Sequence, residues 1–382
     1  MTVPVFYADL SVKNPSDTRL AKIKRLCDAI GLADKVKPLG KGGEDEIVAI
    51  KAHFGETGND TYLHPTFARQ VVDCVKAAGA KPFLTDTCTL YKSTRHNAVD
   101  HLETAYLHGF TPYVVGAPVI IADGVTSKCF EEVPVNLKHF ASVKIAQAFR
   151  SAGAMVVLTH FKGHMMGGFG GAIKNLAMGC APMAGKIDQH GRTIAVYPNC
   201  MGCGECARHC PQDALTLTKP QKGQKGRKAL VDSSKCIGCY ECVTVCPNGA
   251  IGISAPGEYT DFTERMAEYA YGAVKELGEQ GRIVYLNFLM HVTTQCDCAG
   301  WSEPAMVPDL GILASTDPVA IDTASYDLVN AAPSIIHLGG NELHTHGYDK
   351  FEAYRPETRG RHQIDYAEQI GMGTTKYELV KV

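Results

Sequence analysis

Glu46-Ile47-Val48-Ala49-Ile50-Lys51-Ala52-His53-Phe54 is a short, largely apolar run containing β-branched residues. A run of this kind reads as a strand buried on both faces. Four others resemble it: Lys81–Thr85, Pro118–Ala122, Ala154–Thr159 and Arg282–Leu289. Between them lie segments with helical periodicity: Thr18–Ile30, Pro65–Ala78, Val99–His108, Leu137–Ser151 and Phe262–Leu277. Strands alternating with helices predict an α/β fold, with a mostly parallel sheet and helices on both faces.

The bulk properties agree with a packed chain of more than one unit. The 382 residues suffice for two or three domains. Apolar residues make up 45% and charged residues 20%, as in ordinary globular proteins. The net charge of −2 offers no basic excess to hold nucleic acid. The first residues lack a basic region followed by an apolar stretch, and the apolar run near Tyr113–Ala122 is short and broken by Gly116 and Pro118. A cytoplasmic protein without direct membrane insertion is therefore expected. Fifteen cysteines in a chain of this kind argue for thiolate ligands over a disulfide framework.

The strand–helix pattern stops near Tyr197 and resumes near Gly257. This predicts one discontinuous α/β domain, residues 1–195 and 253–382, interrupted by a small α+β insert at 196–252. The insert contains Cys200-x-x-Cys203-x-x-Cys206-x-x-x-Cys210-Pro211, then Cys236-x-x-Cys239-x-x-Cys242-x-x-x-Cys246-Pro247. Three thiolates at three-residue intervals wrap three corners of a cubane iron–sulfur cluster, and the fourth, before proline, serves the other cluster. Two [4Fe–4S] clusters are expected. One takes Cys200, Cys203, Cys206 and Cys246, and the other takes Cys236, Cys239, Cys242 and Cys210. The competing reading, two zinc sites, calls for separated Cys-x-x-Cys pairs instead of runs of four. Gly202, Gly204 and Gly238 let backbone N–H groups approach the sulfurs. This stretch resembles bacterial two-cluster ferredoxins, which implies low-potential electron transfer and a redox partner protein. Its basic loop, Lys219–Lys228, either steers an acidic partner or is a solvated hairpin tip.

Ligands of an open parallel sheet sit beyond the carboxyl ends of its strands. Lys51 and His53 follow the first predicted strand, Asp86 and Cys88 the second, and Asp123-Gly124 the third. The fourth runs into His160-Phe161-Lys162-Gly163-His164, and the strand after the insert leads to His291 and Cys296-Asp297-Cys298. His160, Lys162, His164, Cys296 and Cys298 are the catalytic candidates. The two cysteines with His160 or His164 make a mixed nitrogen–sulfur site for zinc or iron, or are reduced thiols on a buried loop. A third cofactor, metal or flavin, is thus a possibility beside the clusters. Lys51, His53, Gly170, Gly171, Lys174 and Asn175 are the cofactor-binding candidates. The glycine stretch Met165–Gly171 either brings backbone close to a cofactor or phosphate at a helix N-terminus, or is a tight turn packed against the insert. Cys27 and Cys74 read as small core residues. Asp317-Pro318 reads as a helix N-cap and first helical residue, with Asp322 inside that helix.

Five segments together carry a family resemblance: Ile50–Glu56, Thr159–His164, Gly168–Leu176, Cys296–Cys298 and Ala314–Asp322. They are similar to the domain-of-unknown-function family 362 in its version with an inserted ferredoxin. The resemblance implies a redox-linked iron–sulfur protein of anaerobic metabolism and fixes no reaction. Three functions stand as expectations. One is an oxidoreductase that passes electrons through the clusters to or from a site at the carboxyl edge of the sheet. Another is a non-catalytic electron-transfer adaptor for a partner oxidoreductase, and the third is an iron–sulfur sensor or maturation factor.

Overall fold

The computed structural model describes residues 2–40, 43, 46–191, 194–219, 226–253 and 257–382. Most of the basic loop at 219–228 lies outside the described residues. Eight strands form the main sheet: β1 (Val3–Ala8), β2 (Ile47–Lys51), β3 (Lys81–Asp86), β4 (Val119–Ile121), β5 (Ala154–His160), β6 (Ile283–Leu289), β7 (Gly311–Ser315) and β8 (Tyr377–Lys381). Their spatial order is β8-β1-β7-β6-β5-β2-β3-β4. β7 is antiparallel to both its neighbours, and the other pairings are parallel. The fold is therefore α/β with a mostly parallel sheet.

Alternation along the central strands supplies two cores. Ala49, Met155, Val157, Ile283 and Tyr285 face one side. Val48, Ile50, Ala154, Val156, Val284 and Leu286 face the other. Successive side chains point to opposite faces, so a strand with both faces covered is apolar throughout. Helices α1 (Arg19–Ala29), α2 (Pro65–Ala77) and α3 (Ala98–Leu107) cover the second face. Helices α4 (Ala172–Gly179), α5 (Glu258–Glu279), α6 (Pro318–Ala331) and α7 (Gly360–Gln369) cover the first. Asp317 caps α6, accepting from Val319 N (2.8 Å) and Ala320 N (2.9 Å), with Pro318 in the first turn as expected.

One expected helix is absent. Residues 137–151 instead contain a strand, Ser142–Ala146, paired antiparallel with Phe130–Pro134, followed by one helical turn at Gln147–Arg150. Val143 and Ile145 are fully buried while Ser142 and Lys144 are not. Two β-branched residues two apart set a period of two and override the helical spacing. β1, β7 and β8 were not anticipated as strands. β1 and β8 are only partly buried at the sheet margin and lack the continuous apolar run of a central strand.

Between 196 and 252 no described strand joins the main sheet. Ile194–Val196 pairs with Ile251–Ile253, bringing the entry and exit of this stretch side by side, and Leu215–Leu217 pairs with Ala229–Val231. It has a small core of its own, formed by Cys206, Leu215, Ala229, Cys242 and Ile251.

Candidate functional site: a thiol-lined cavity

None of the fifteen cysteines is in a disulfide. Eight gather around two separate hollows. Cys200, Cys203, Cys206 and Cys246 line one. Cys210, Cys236, Cys239 and Cys242 line the other. Each hollow thus takes three cysteines from one sequence run and the last cysteine of the other run. Backbone donors point at the sulfurs: Ala214 N at Cys210 Sγ (3.3 Å), Ala250 N at Cys246 Sγ (3.2 Å) and Ala229 N at Cys200 Sγ (3.5 Å). Burial pushes the Cys239 thiol up to about 11, and neighbouring thiolates add to the rise. Four such thiols ionise together only with a cation among them, so the donor set fits a metal centre.

A cavity of about 440 Å³ lies at the carboxyl ends of β2, β3 and β5. Its walls include Lys51, His53, Lys162, His164, Gly170, Gly171, Lys174, Asn175, Cys296 and Cys298. Residues Cys239, Tyr240 and Glu241 of the cysteine-rich stretch close it from the opposite side.

Buried ion pairs frame the cavity. Lys51 Nζ stands 3.1 Å from Asp86 Oδ1 and donates to Asn175 Oδ1 (2.8 Å), while Asn175 Nδ2 donates to Leu158 O (2.9 Å). Arg95 donates to Glu56 Oε2 (3.0 Å) and to the Tyr91 hydroxyl (2.8 Å), and lies 3.3 Å from His53 Nε2. Asp297 sits between His160 Nδ1 (2.9 Å) and Lys162 Nζ (2.9 Å). Burial alone would raise the Asp297 carboxyl, but His160 and Lys162 hold it well below the usual carboxylate range. Burial pushes the imidazoles of His53 and His164 well below their ordinary value, so both are neutral.

The Cys296–Cys298 turn faces Lys174, whose Nζ lies 3.3 Å from Cys296 Sγ. A hydrogen bond from Cys298 holds the Cys296 thiol well below its ordinary value against the opposing effect of burial, and Lys174 and Lys162 lower it further. The ligand atoms of His164, Cys296 and Cys298 lie within 4.8 Å of one another, a group that could hold a metal ion. His160 does not join them: its Nδ1 is held by Asp297 and its Nε2 by Met290 O (2.9 Å).

The glycine stretch contributes Gly170 and Gly171 to the cavity wall and also packs against protein. A Cβ on Gly171 would overlap the Asp322 carboxylate. That carboxylate accepts from Ala172 N (2.7 Å), Ile173 N (2.9 Å) and Asn287 Nδ2 (2.8 Å). Two of the first N–H groups of α4 are thereby satisfied by a side chain of the same chain. Met165, at the head of the stretch, touches the cysteine-rich module through Thr244 Oγ1, 3.8 Å from its sulfur. Cys88, Asp123, His160 and His291, also at strand ends, do not line the cavity: Asp123 accepts from Cys88 N (3.1 Å), and His291 N donates to Asp309 (2.8 Å).

The sequence reading assigned no role to Arg95, Glu56, Tyr91, Asp297, Lys186 or His190. Asp297 had a legible signal, since it stands between two singled-out cysteines. Arg95 and Lys186 arrive from loop and helix positions with no motif around them.

These features define an α/β protein with a thiol-lined cavity at the carboxyl edge of its sheet, next to eight further cysteines grouped in fours. The chain belongs to the family described as Domain of unknown function (DUF362), whose model matches residues 48–327. No curated protein matches it. Among solved structures it is similar to the lactate racemase apoprotein from Thermoanaerobacterium thermosaccharolyticum, with 13% identity and a TM-score of 0.38. That likeness covers 76% of this chain and 51% of the racemase, so the chain spans about half of that protein's length. No described helix is long and apolar enough to cross a membrane.

Proposed function

We propose that this chain is an iron–sulfur oxidoreductase in which residues 196–252 form a module holding two [4Fe–4S] clusters beside a substrate cavity. The clusters supply one-electron transfer at a potential set by their surroundings. One observation carries the reading: Cys239 lines both the second four-cysteine hollow and the 440 Å³ cavity that contains Cys296, Cys298, His164 and Lys174. A redox centre in that hollow opens directly on the thiols and cations of the cavity. An adaptor that only carries electrons needs the cysteine-rich module alone and leaves these buried groups without a task. The substrate is a small molecule admitted to the cavity, and electrons come from or go to a redox partner protein.

Metal analysis of anaerobically purified protein tests the proposal. About eight irons per chain, with an iron–sulfur signal in the reduced electron paramagnetic resonance spectrum, is the expected result. Zinc in place of iron, with no such signal, overturns it.

A further inference from the structure

Cys296 and Cys298 admit two chemistries: with His164 they hold a metal, or they work as a pair of thiols. The hydrogen-bond polarity of His164 decides between them. Its Nδ1 accepts from Gly167 N (3.0 Å) and Met166 N (3.3 Å), so Nδ1 keeps its lone pair for the backbone. The single proton of the neutral ring is then on Nε2, which makes no hydrogen bond among the described residues. A histidine that binds metal has the reverse polarity, donating from one nitrogen and ligating through the other. Lys174 brings an ammonium to 3.3 Å from Cys296 Sγ, where a metal ion would meet a like charge. The group therefore offers an N–H donor, an ammonium and two sulfurs, which is the surrounding of a reactive thiolate.

We propose that Cys296 and Cys298 form a redox-active dithiol that exchanges with anionic disulfides of small thiols in the cavity. The inference rests on the reading of this cavity as a redox site and specifies its chemistry. Ala299 N donates to Cys296 O (2.9 Å), closing a turn that folds Cys298 back on Cys296. Cys296 is the attacking thiolate, activated by Cys298 and Lys174. It attacks one sulfur of the substrate RS–SR′, a bond forms to Cys296, and RS⁻ leaves. His164 Nε2–H donates a hydrogen bond to the leaving thiolate, which takes its proton from water. Cys298 then attacks the Cys296 sulfur, its proton passing through water to the departing R′S⁻, and leaves the Cys296–Cys298 disulfide. The balance is one dithiol and one disulfide giving one disulfide and two thiols. The preference for an anion comes from Lys174 and from Lys186, whose Nζ, among the described residues, donates to Thr87 Oγ1 (2.6 Å) and Ala181 O (2.7 Å).

The experiment uses the holoprotein purified without oxygen. It is equilibrated in mixtures of reduced and oxidised dithiothreitol, alkylated with a maleimide and cut with trypsin. Between Arg282 and Lys350 the only cysteines are Cys296 and Cys298, so one peptide reports both. The expected result is a cooperative transition from two labels to none, without a singly labelled species. In Cys298→Ser the resolving thiol is gone, and oxidised glutathione should accumulate as a mixed disulfide on Cys296. Two labels at every ratio, or no adduct in the variant, overturns the proposal. So does poor labelling accompanied by an extra zinc or iron that Cys298→Ser loses. Iron content and the electron paramagnetic resonance spectrum of the same samples report separately on the cluster module, so the two readings fail distinguishably.

Discussion

Cys246 closes the second cysteine run in sequence, yet it shares a hollow with Cys200, Cys203 and Cys206 of the first. Cys210 makes the reciprocal exchange, joining Cys236, Cys239 and Cys242. The two crossing residues have matching surroundings, each taking a hydrogen bond from the backbone N–H four residues on, Ala214 at 3.3 Å and Ala250 at 3.2 Å. Paired substitutions read this wiring through iron content. On the proposed two-cluster reading a four-iron cluster is lost when its ligands are removed, so the wild type should carry about eight irons and the loss of one cluster should leave about four. Cys246→Ser with Cys203→Ser strikes one hollow twice and should leave about four irons per chain. Cys246→Ser with Cys239→Ser strikes both hollows and should leave close to none. Uncrossed wiring, in which each sequence run builds its own cluster, predicts the opposite ranking of the two double variants. Plasma mass spectrometry for iron after anaerobic reconstitution, with spin counting of the reduced samples, gives both numbers. A Cys246/Cys239 variant that retains more iron than the Cys246/Cys203 variant refutes the reasoning.

Three further expectations concern the body of the protein. Asp297→Asn removes the carboxylate that His160 and Lys162 share, and breaking a buried ion pair of this kind should cost about 3–5 kcal/mol in urea unfolding. Because the folded-state value of Asp297 is depressed, its contribution is present above the unfolded carboxylate range and is lost as pH falls through the folded value. The gap between wild type and variant should therefore narrow in strong acid, and a gap that widens there contradicts the assignment. His101 is fully buried against Phe54, neither ring nitrogen has a hydrogen-bond partner among the described residues, and burial lowers its pKa to about 3. Protonation penalises the fold below the unfolded histidine value near 6.5, by up to about 5 kcal/mol once pH reaches about 3. His101→Phe should shift the acid-unfolding midpoint to lower pH without loss of stability at pH 7, and an unchanged midpoint rules this out. Asp322→Ala strands Ala172 N, Ile173 N and Asn287 Nδ2 in the core, at about 1–3 kcal/mol for each unsatisfied group. Hydrogen exchange should accelerate first in α4, and uniform acceleration across the sheet would argue against this local role.

The central strands were legible because a sheet covered on both faces demands continuous apolar runs, and Ala154–Leu158 is one without a polar break. The Asp317 cap and the cysteine spacing were legible because both are local in sequence. What escaped was decided by distant partners. The turn at residues 165–171 carries a strong glycine signal, but the sequence does not show that Gly171 makes room for Asp322, some 150 residues away. The helix expected over 137–151 failed because burial of Val143 and Ile145 against α5 selects the extended form. In the cavity, Lys51 and His53 announced themselves by strand position, whereas Arg95 reaches Glu56 from a loop that no periodicity marks.

The charges around the cavity argue for what it binds. Lys51, Arg95 and Lys162 each face a carboxylate, on Asp86, Glu56 and Asp297 respectively. Paired in this way they set the walls and contribute little net field. Lys174 and Lys186 have no carboxylate within ion-pair distance among the described residues. A buried ammonium without a counter-ion is costly, and the cost falls when an anion enters. Lys174 stands beside Cys296, the thiol most disposed to ionise, so an arriving anion and the thiolate compete for one ammonium. Occupancy by an anion should then raise the thiol and slow its alkylation, whereas Lys174→Met should slow alkylation with or without the anion. Alkylation of Cys296 at pH 7, measured with and without a small dicarboxylate, separates the two cases. A rate in the wild type that the dicarboxylate does not change would place the anion elsewhere than at Lys174.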